Sequence, residues 1–352
     1  MSFMNFDFSN YESLVRSLHE FTKDEQIYLD FYENSDILPD DFRAKYPHHP
    51  RFVDIVLNPD KTLPRYALEE PHIPPDKNVF ISKHSRYTPM FYRAHAFFEI
   101  AYVLSGTCTQ QFHGEILQLN KGDLCFISPN VEHTKEVFDK GSVVINITVR
   151  HSTFMDTFEN AIRDKTQISS FFLNNIYSNR KMNYLIFHTG EDEMIRNYIL
   201  DMFIEQSNFD EYSDGIMCSM LMIFFSKLIR KYSKTMDISE TYKQAPFFEK
   251  EILEYMIKNF RTVTLAELAE KHHFSVPYCS KLIKEATGYS FQKLLTKIKL
   301  QSGERLLLST HMSVSDISER LGYENPETFI RLMKRHRNMT PSQYRQQRLD
   351  AN

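Results

Sequence analysis

Cysteine is scarce in this 352-residue chain, and the four present are scattered. Cys108, Cys125, Cys218 and Cys279 form no close pair, which argues against a zinc knuckle and a disulfide framework and fits a reducing cytoplasm. Long apolar runs are missing too. The most apolar stretch, IMCSMLMIFF from Ile216, stops at Ser226-Lys227, too short to span a bilayer, and reads as a buried helix. The N-terminal MSFMNFDFSN has neither a positive n-region nor an apolar h-region, so no export signal and no membrane partner are expected. Nine glycines, 42% apolar and 25% charged residues are ordinary for a globular protein, and the length accommodates two or three domains.

The net charge of -4 hides an asymmetry. Residues 247–352 hold 17 Lys and Arg against 12 Asp and Glu, whereas the remainder holds 25 against 34. An acidic body thus carries a basic tail, and Arg331 to Arg348 contains six basic residues and no acidic one.

Residues 1–78 read as a partly helical extension in which prolines at 59, 64, 71, 74 and 75 exclude a long helix and suggest an extended connector. Residues 79–150 hold short β-rich runs (FEIAYVLSG, TCTQQFHG, DLCFISP, SVVINITV) separated by turn signals, the rhythm of a small sandwich or barrel. Residues 151–235 turn helical. Met194/Ile195, Tyr198/Ile199 and Met202/Phe203 form one apolar stripe; Tyr212, Ile216, Met220/Leu221, Phe224/Phe225 and Leu228 form another. These stripes suit packing on the β domain and a homodimer seam equally. Residues 236–246 read as a linker.

The tail, 247–352, repeats itself. Leu268, Phe274 and Pro277 recur as Ile317, Tyr323 and Pro326, and Lys284, Gly288 and Leu294 recur as Lys334, Asn338 and Tyr344. Each copy has a marked start: Thr264 with Glu267 and Thr340 with Gln343 have the capping-box spacing, and Ser275 and Asn325 precede second helices. Gly288 and Asn338 suit left-handed helix stops. In a helix–turn–helix the second helix enters the major groove. Cys279, Leu282, Ile283, Phe329, Leu332 and Met333 are then its buried face, with Val276, Pro277, Ser280, Lys281, Pro326, Glu327, Ile330 and Arg331 facing bases. Lys284, Lys334, Arg335 and Arg337 fall where phosphates pass. Residues 290–309 form the helix joining the two copies.

On LAELAEKHHFSVPYCSKLIKEATGYSFQKLL, KLQSGERLLLST, ISERLGYENPETFIRLMKR and MTPSQYR, residues 248 to 346 resemble the DNA-binding domain of AraC/XylS transcription regulators. Lys299 stands where that pattern has arginine, and Gly303 where it has alanine, which is expected to weaken the joining helix slightly. The resemblance implies a cytoplasmic, sequence-specific activator of transcription that binds double-stranded DNA, works with RNA polymerase and forms a homodimer.

RAHAFFEIAYVLSG (93–106) and GDLCFISPNVEH (122–133) resemble the two half-motifs of a cupin barrel. The implied fold is α+β: a cupin-like barrel with a helical segment, then an all-α domain with two helix–turn–helix units. Metal-binding cupins use three histidines and a glutamate; here Arg93 replaces the first histidine, leaving His95, Glu99 and His133. An arginine beside a metal is unfavourable, so no metal and no cofactor are expected. The resemblance implies a small-molecule pocket, suited to a carbohydrate, with Arg93, His95, Glu99, Tyr102, His113 and His133 as its residues. The alternative is a cupin metalloenzyme with an accessory DNA-binding tail. The missing histidine and the lack of a nucleophile constellation count against it. A ligand-free architectural DNA protein would leave the β domain without purpose.

Overall fold

The structure, a computed structural model, describes residues 6–34, 36–112, 114–158, 184–208, 210–238, 247–310 and 312–349. These divide into two compact units between residues 238 and 247.

The first unit opens with short helices, Tyr11–His19, Lys23–Glu33, Pro39–Lys45 and Pro50–Leu57. Proline stands at the start of the last two and of Pro59–Thr62, where its missing N–H has no intrahelical partner to lose. The proline-rich stretch thus holds two single helical turns, Pro59–Thr62 and Glu69–His72, with the short extended segment Tyr66–Ala67 between them. Ile27, Tyr28, Phe42, Val53 and Val56 give this extension its own core. A buried ion cluster ties it to the sheet: Glu25 accepts from Lys83 Nζ at 2.8 Å, from Arg86 Nε at 2.9 Å and from the Thr22 backbone N–H at 2.9 Å. Arg86, fully buried, also lies over the Phe21 ring at 3.9 Å.

The strands are β1 (Tyr66–Ala67), β2 (Val79–Lys83), β3 (Ala94–His95), β4 (Phe98–Ser105), β5 (Thr107–Phe112), β6 (Glu115–Asn120), β7 (Asp123–Ile127), β8 (His133–Glu136), β9 (Val143–Val149), β10 (Tyr184–His188) and β11 (Asp237–Ile238). A six-stranded sheet runs β11-β10-β7-β4-β9-β2, a three-stranded sheet runs β6-β5-β8, and β1 pairs with β3. One apolar cluster joins Ala101, Val103, Cys125, Ile127, Val144 and Ile186 of the larger sheet to Cys108, Phe112 and Leu119 of the smaller. The two sheets thus close over a shared interior. β10 comes from the segment expected to be helical and β11 from the expected linker, because each is short and pairs with a strand distant in sequence.

The outer face of the large sheet is covered by helices Glu193–Asn208 and Ser213–Tyr232. Phe225 meets Phe126 at 5.0 Å, and Phe154 of helix His151–Phe158 stacks on Phe98 at 3.5 Å. At the open edge, the Gln206 amide accepts from Ile81 N–H at 2.6 Å and donates to Ile81 C=O at 2.7 Å, standing in for a missing strand. Most of both apolar stripes is core. Ile195, Ile199, Met202, Phe203, Leu221, Phe224, Phe225 and Leu228 are buried, whereas Tyr212, Ile216, Met222 and Ile223 stay exposed.

The second unit is helical: Phe247–Lys258, Leu265–Lys271, Val276–Thr287, Phe291–Ser309, Val314–Arg320, Pro326–Arg337 and Pro341–Leu349. Thr264, Ser275, Ser290, Ser313 and Asn325 each accept a first-turn backbone N–H. The Thr340–Gln343 box is reciprocal, at 2.8 and 3.2 Å. The Thr264 box is only half made, because Glu267 accepts from Tyr255 Oη instead. Gly288 (φ 74°) and Asn338 (φ 58°) both take the left-handed stop.

Gly303 corrects an expectation. A Cβ there would lie 2.5 Å from Cε2 of Phe329. The glycine makes room for the fully buried Phe329 ring of helix Pro326–Arg337, so its cost in helix propensity is offset by packing.

Candidate functional site

Each second helix has one buried face and one exposed face. In Val276–Thr287, Cys279, Leu282 and Ile283 are buried; in Pro326–Arg337, Phe329 and Met333 are buried and Leu332 is half-buried. Val276, Pro277, Lys281, Glu327 and Arg331 are exposed, and Ser280, Pro326 and Ile330 are half-exposed. Tyr278, not anticipated from sequence, is also exposed on this face, its ring edge-on to Phe274 at 5.1 Å.

The four expected phosphate contacts separate. Lys284, Lys334 and Arg335 are exposed. Arg337 instead grips Glu304 of the joining helix through two bonds of 2.7 and 3.0 Å, the fork geometry of a bidentate pair. It ties this helix to the joining helix while its side chain stays 44% exposed. Lys299, in place of the expected arginine, reaches the Arg261 and Gly322 carbonyls at 3.5 Å and lies over the Tyr323 ring at 4.5 Å.

Inside the first unit, strand alternation decides which side chains meet. Arg93, just ahead of β3, forms an isolated antiparallel bridge with His133 at the start of β8, so the two share a face, and His95 lies two residues on from Arg93. Glu99 shares the inner face of β4 with Ala101 and Val103. His133 opposes Phe112, and Lys135 opposes Gln110. The cluster is therefore Arg93, His95, Glu99, Gln110, His133 and Lys135.

Both imidazoles are fixed the same way. His95 Nδ1 lies 2.6 Å from the Phe97 carbonyl and His133 Nδ1 lies 3.1 Å from the Val131 carbonyl. Each ring therefore donates from Nδ1 and leaves a lone pair on Nε2. Both Nε2 atoms are buried without a hydrogen-bond partner. Burial holds His95 down to about 4 and His133 well below the usual imidazole range, so both are neutral near pH 7. His84, whose Nε2 is likewise unpartnered, is lowered to about 3 by burial and the nearby Lys135 and Arg93 charges.

Glu99 is buried, yet its carboxyl is held well below the usual range by Lys135 first, then Arg93. Lys135 Nζ donates to Glu99 and, at 2.7 Å, to Asn146. Arg93 lies 3.7 Å from Glu99 and its side chain is 26% exposed. His95, Glu99 and His133 place possible ligand atoms within 4.8 Å of one another. A divalent cation there would face two positive charges that already neutralise Glu99. Each unit repulsion near 4 Å is about 4 kcal/mol at an effective dielectric of 20, doubled for a divalent ion. The donors are arranged for a metal, but the surrounding charges oppose one.

Tyr102 is a correction. It sits on the face of β4 opposite Glu99, under the helices, where burial, helped by the Glu191 and Asp192 charges and opposed by Arg196, pushes it up to about 12. His113 lies outside the described residues.

Two family models match. Residues 79–207 match an AraC-like ligand binding domain and residues 268–347 a helix-turn-helix domain. The chain belongs to the AraC-type transcription regulators. It is 36% identical over 86 residues to the HTH-type regulator YtdP of Bacillus subtilis, covering 24% of this chain and 11% of YtdP. To YobQ of the same organism it is 20% identical over 260 residues, 74% of this chain and 90% of that one. To the HTH-type transcriptional activator RhaS of Escherichia coli O1:K1 it is 22% identical over 255 residues, 72% of this chain and 87% of RhaS.

In this AraC-type regulator the ligand-binding domain is the barrel and the DNA-binding domain the helical unit. Among the described residues no helix is long and apolar enough to cross a membrane. Sequence reasoning missed Lys135, Gln110 and Asn146. Period-2 alternation from His133 would have put Lys135 on the inner face, but only the register Gln110↔Lys135 brings β5 to it.

Proposed function

We propose that this regulator binds operator DNA with Val276–Thr287 and Pro326–Arg337 in successive major grooves and activates transcription through contact with RNA polymerase. Val276, Pro277, Ser280, Lys281, Pro326, Glu327, Ile330 and Arg331 face the base edges, with Lys284, Lys334 and Arg335 on phosphates. The observation that carries this reading is the paired arrangement: each helix is capped at its start, stopped by a left-handed residue, buried on one side and exposed on the other.

The barrel cluster is proposed as the effector site. Two neutral imidazole acceptors and an unpartnered Gln110 amide favour a ligand rich in hydroxyl donors, such as a carbohydrate. Exposed Tyr212, Ile216, Met222 and Ile223 are proposed as a homodimer seam. Binding of purified protein to the DNA upstream of neighbouring genes, with and without candidate sugars, tests the whole reading. Specific, effector-dependent retardation supports it, and indifference to DNA sequence overturns it. In sedimentation, Ile216→Asp/Ile223→Asp should dissociate dimers; a wild type that stays monomeric at micromolar concentration removes the seam.

A further inference from the structure

The charges in the barrel ask for more than a neutral sugar. Arg93 and Lys135 carry two positive charges against the single negative charge of Glu99. Lys135 is spent on Glu99 and Asn146. Arg93 is not. Its guanidinium stands 3.7 Å from Glu99, beyond hydrogen-bond reach, and donates no hydrogen bond among the described residues. Its side chain is partly exposed while His95, Gln110 and His133 are fully buried, so the site has a cationic outer end and a neutral inner end. The inner end supplies two imidazole lone pairs and one amide whose Oε1 and Nε2 both lack partners. Five-donor guanidinium chemistry suits a planar carboxylate, and the inner atoms suit hydroxyl groups.

We propose that the effector is a small polyhydroxylated carboxylate, a sugar acid, held at its carboxylate by Arg93 and at its hydroxyls by His95, His133 and Gln110. This rests on the barrel being the effector site. A monoanion balances the excess positive charge; a phosphate dianion would overcompensate it beside Glu99. The Nδ1 contacts with the Phe97 and Val131 carbonyls leave both Nε2 atoms as acceptors.

Purified full-length protein is titrated by calorimetry with D-galacturonate, D-glucuronate and D-gluconate, and with D-galactose, D-glucose, sorbitol and glucose 6-phosphate. At least one sugar acid should bind about tenfold or more tightly than its neutral counterpart, the scale of one charge-assisted hydrogen bond. Arg93→Gln should remove that preference, and Gln110→Leu should weaken acid and neutral forms alike. Equal binding of the neutral counterpart, a preference kept in Arg93→Gln, tighter binding of the phosphate, or no binding by any sugar acid overturns the inference. A neutral sugar that binds and is lost in His133→Phe would sink the anionic class alone. A promoter response to sugars that survives both His133→Phe and Gln110→Leu would sink the effector site itself.

Discussion

The two units bury their polar chemistry in opposite ways. In the barrel unit, charges lie inside: Glu25 with Lys83 and Arg86, Glu99 with Lys135, and three histidines with unpartnered Nε2 atoms. In the helical unit Val276–Thr287 and Pro326–Arg337 keep Lys281, Lys284, Arg331, Lys334 and Arg335 exposed over a buried face of Cys279, Leu282, Ile283, Phe329 and Met333. The first arrangement is suited to enclosing a small polar molecule, the second to meeting a large polyanion. The difference also sets where a single substitution does most damage.

The largest effect is expected at Glu25. Glu25→Ala leaves Lys83 and Arg86 buried without their counter-charge, a loss of about 3–5 kcal/mol. Urea unfolding followed by circular dichroism should show the barrel unit weakened and the helical unit unchanged. The carboxyl is lowered to about 2 by Arg86 and Lys83, which outweigh its burial. Its stabilisation is therefore present above the ordinary carboxylate pKa near 4.5 and lost as pH falls toward 2. An unaltered acid limb in Glu25→Ala would show that the cluster is not what fails in acid. His95, lowered to about 4, acts in the same direction: its contribution erodes from the ordinary imidazole value near 6.5 downward, because only the unfolded chain takes up the proton there.

Next in size is base reading. Arg331 is exposed, and its Nε lies 3.3 Å from the Glu327 carbonyl one turn back, which leaves its terminal nitrogens free of that bond. Arg331→Ala should cost about 1–3 kcal/mol at the operator and relax preference at a few base pairs. Equal losses on operator and random DNA would make it a phosphate contact. Lys334→Ala/Arg335→Ala should instead lower the slope of log affinity against log salt by about two, with sequence preference intact. Arg337→Ala should leave that slope nearly unchanged and reduce stability, since Glu304 holds it.

Why the helical unit was legible and the barrel site only in part follows from the range of the forces involved. Helix starts at Thr264, Ser275, Ser313 and Asn325 are decided within three residues, and the structure has a capping bond at each. The stop residues Gly288 and Asn338 are equally local. Lys135 meets Glu99 across 36 residues, and Arg337 meets Glu304 across 33, so neither partner is visible in a local pattern. The place of Arg337 at the end of its helix points to a phosphate contact but does not reveal Glu304. Tyr102 is a different failure: with Glu99 inward, alternation alone puts residue 102 outward, and the aromatic content of the strand obscured it.

The smallest effect tests whether packing or propensity rules the joining helix. Gly303→Ala should gain about 1 kcal/mol of helix propensity. The added methyl, though, would meet Phe329 Cε2 at 2.5 Å and Leu321 Cδ1 at 2.9 Å. Phe329 and Leu321 are fully buried, and the ring is wedged within the cluster of Ile317 and Met333. Overpacking of this kind costs about 1–3 kcal/mol, so the net change should be a loss near 1 kcal/mol. The shift should come with weaker operator binding, because Phe329 fixes the helix that carries Arg331. Phe329→Leu in the same background should relieve the overlap and recover part of the stability, a coupling that a double-mutant cycle isolates. A Gly303→Ala variant more stable than wild type, with binding intact, would mean that the ring moves aside and that propensity decides this helix.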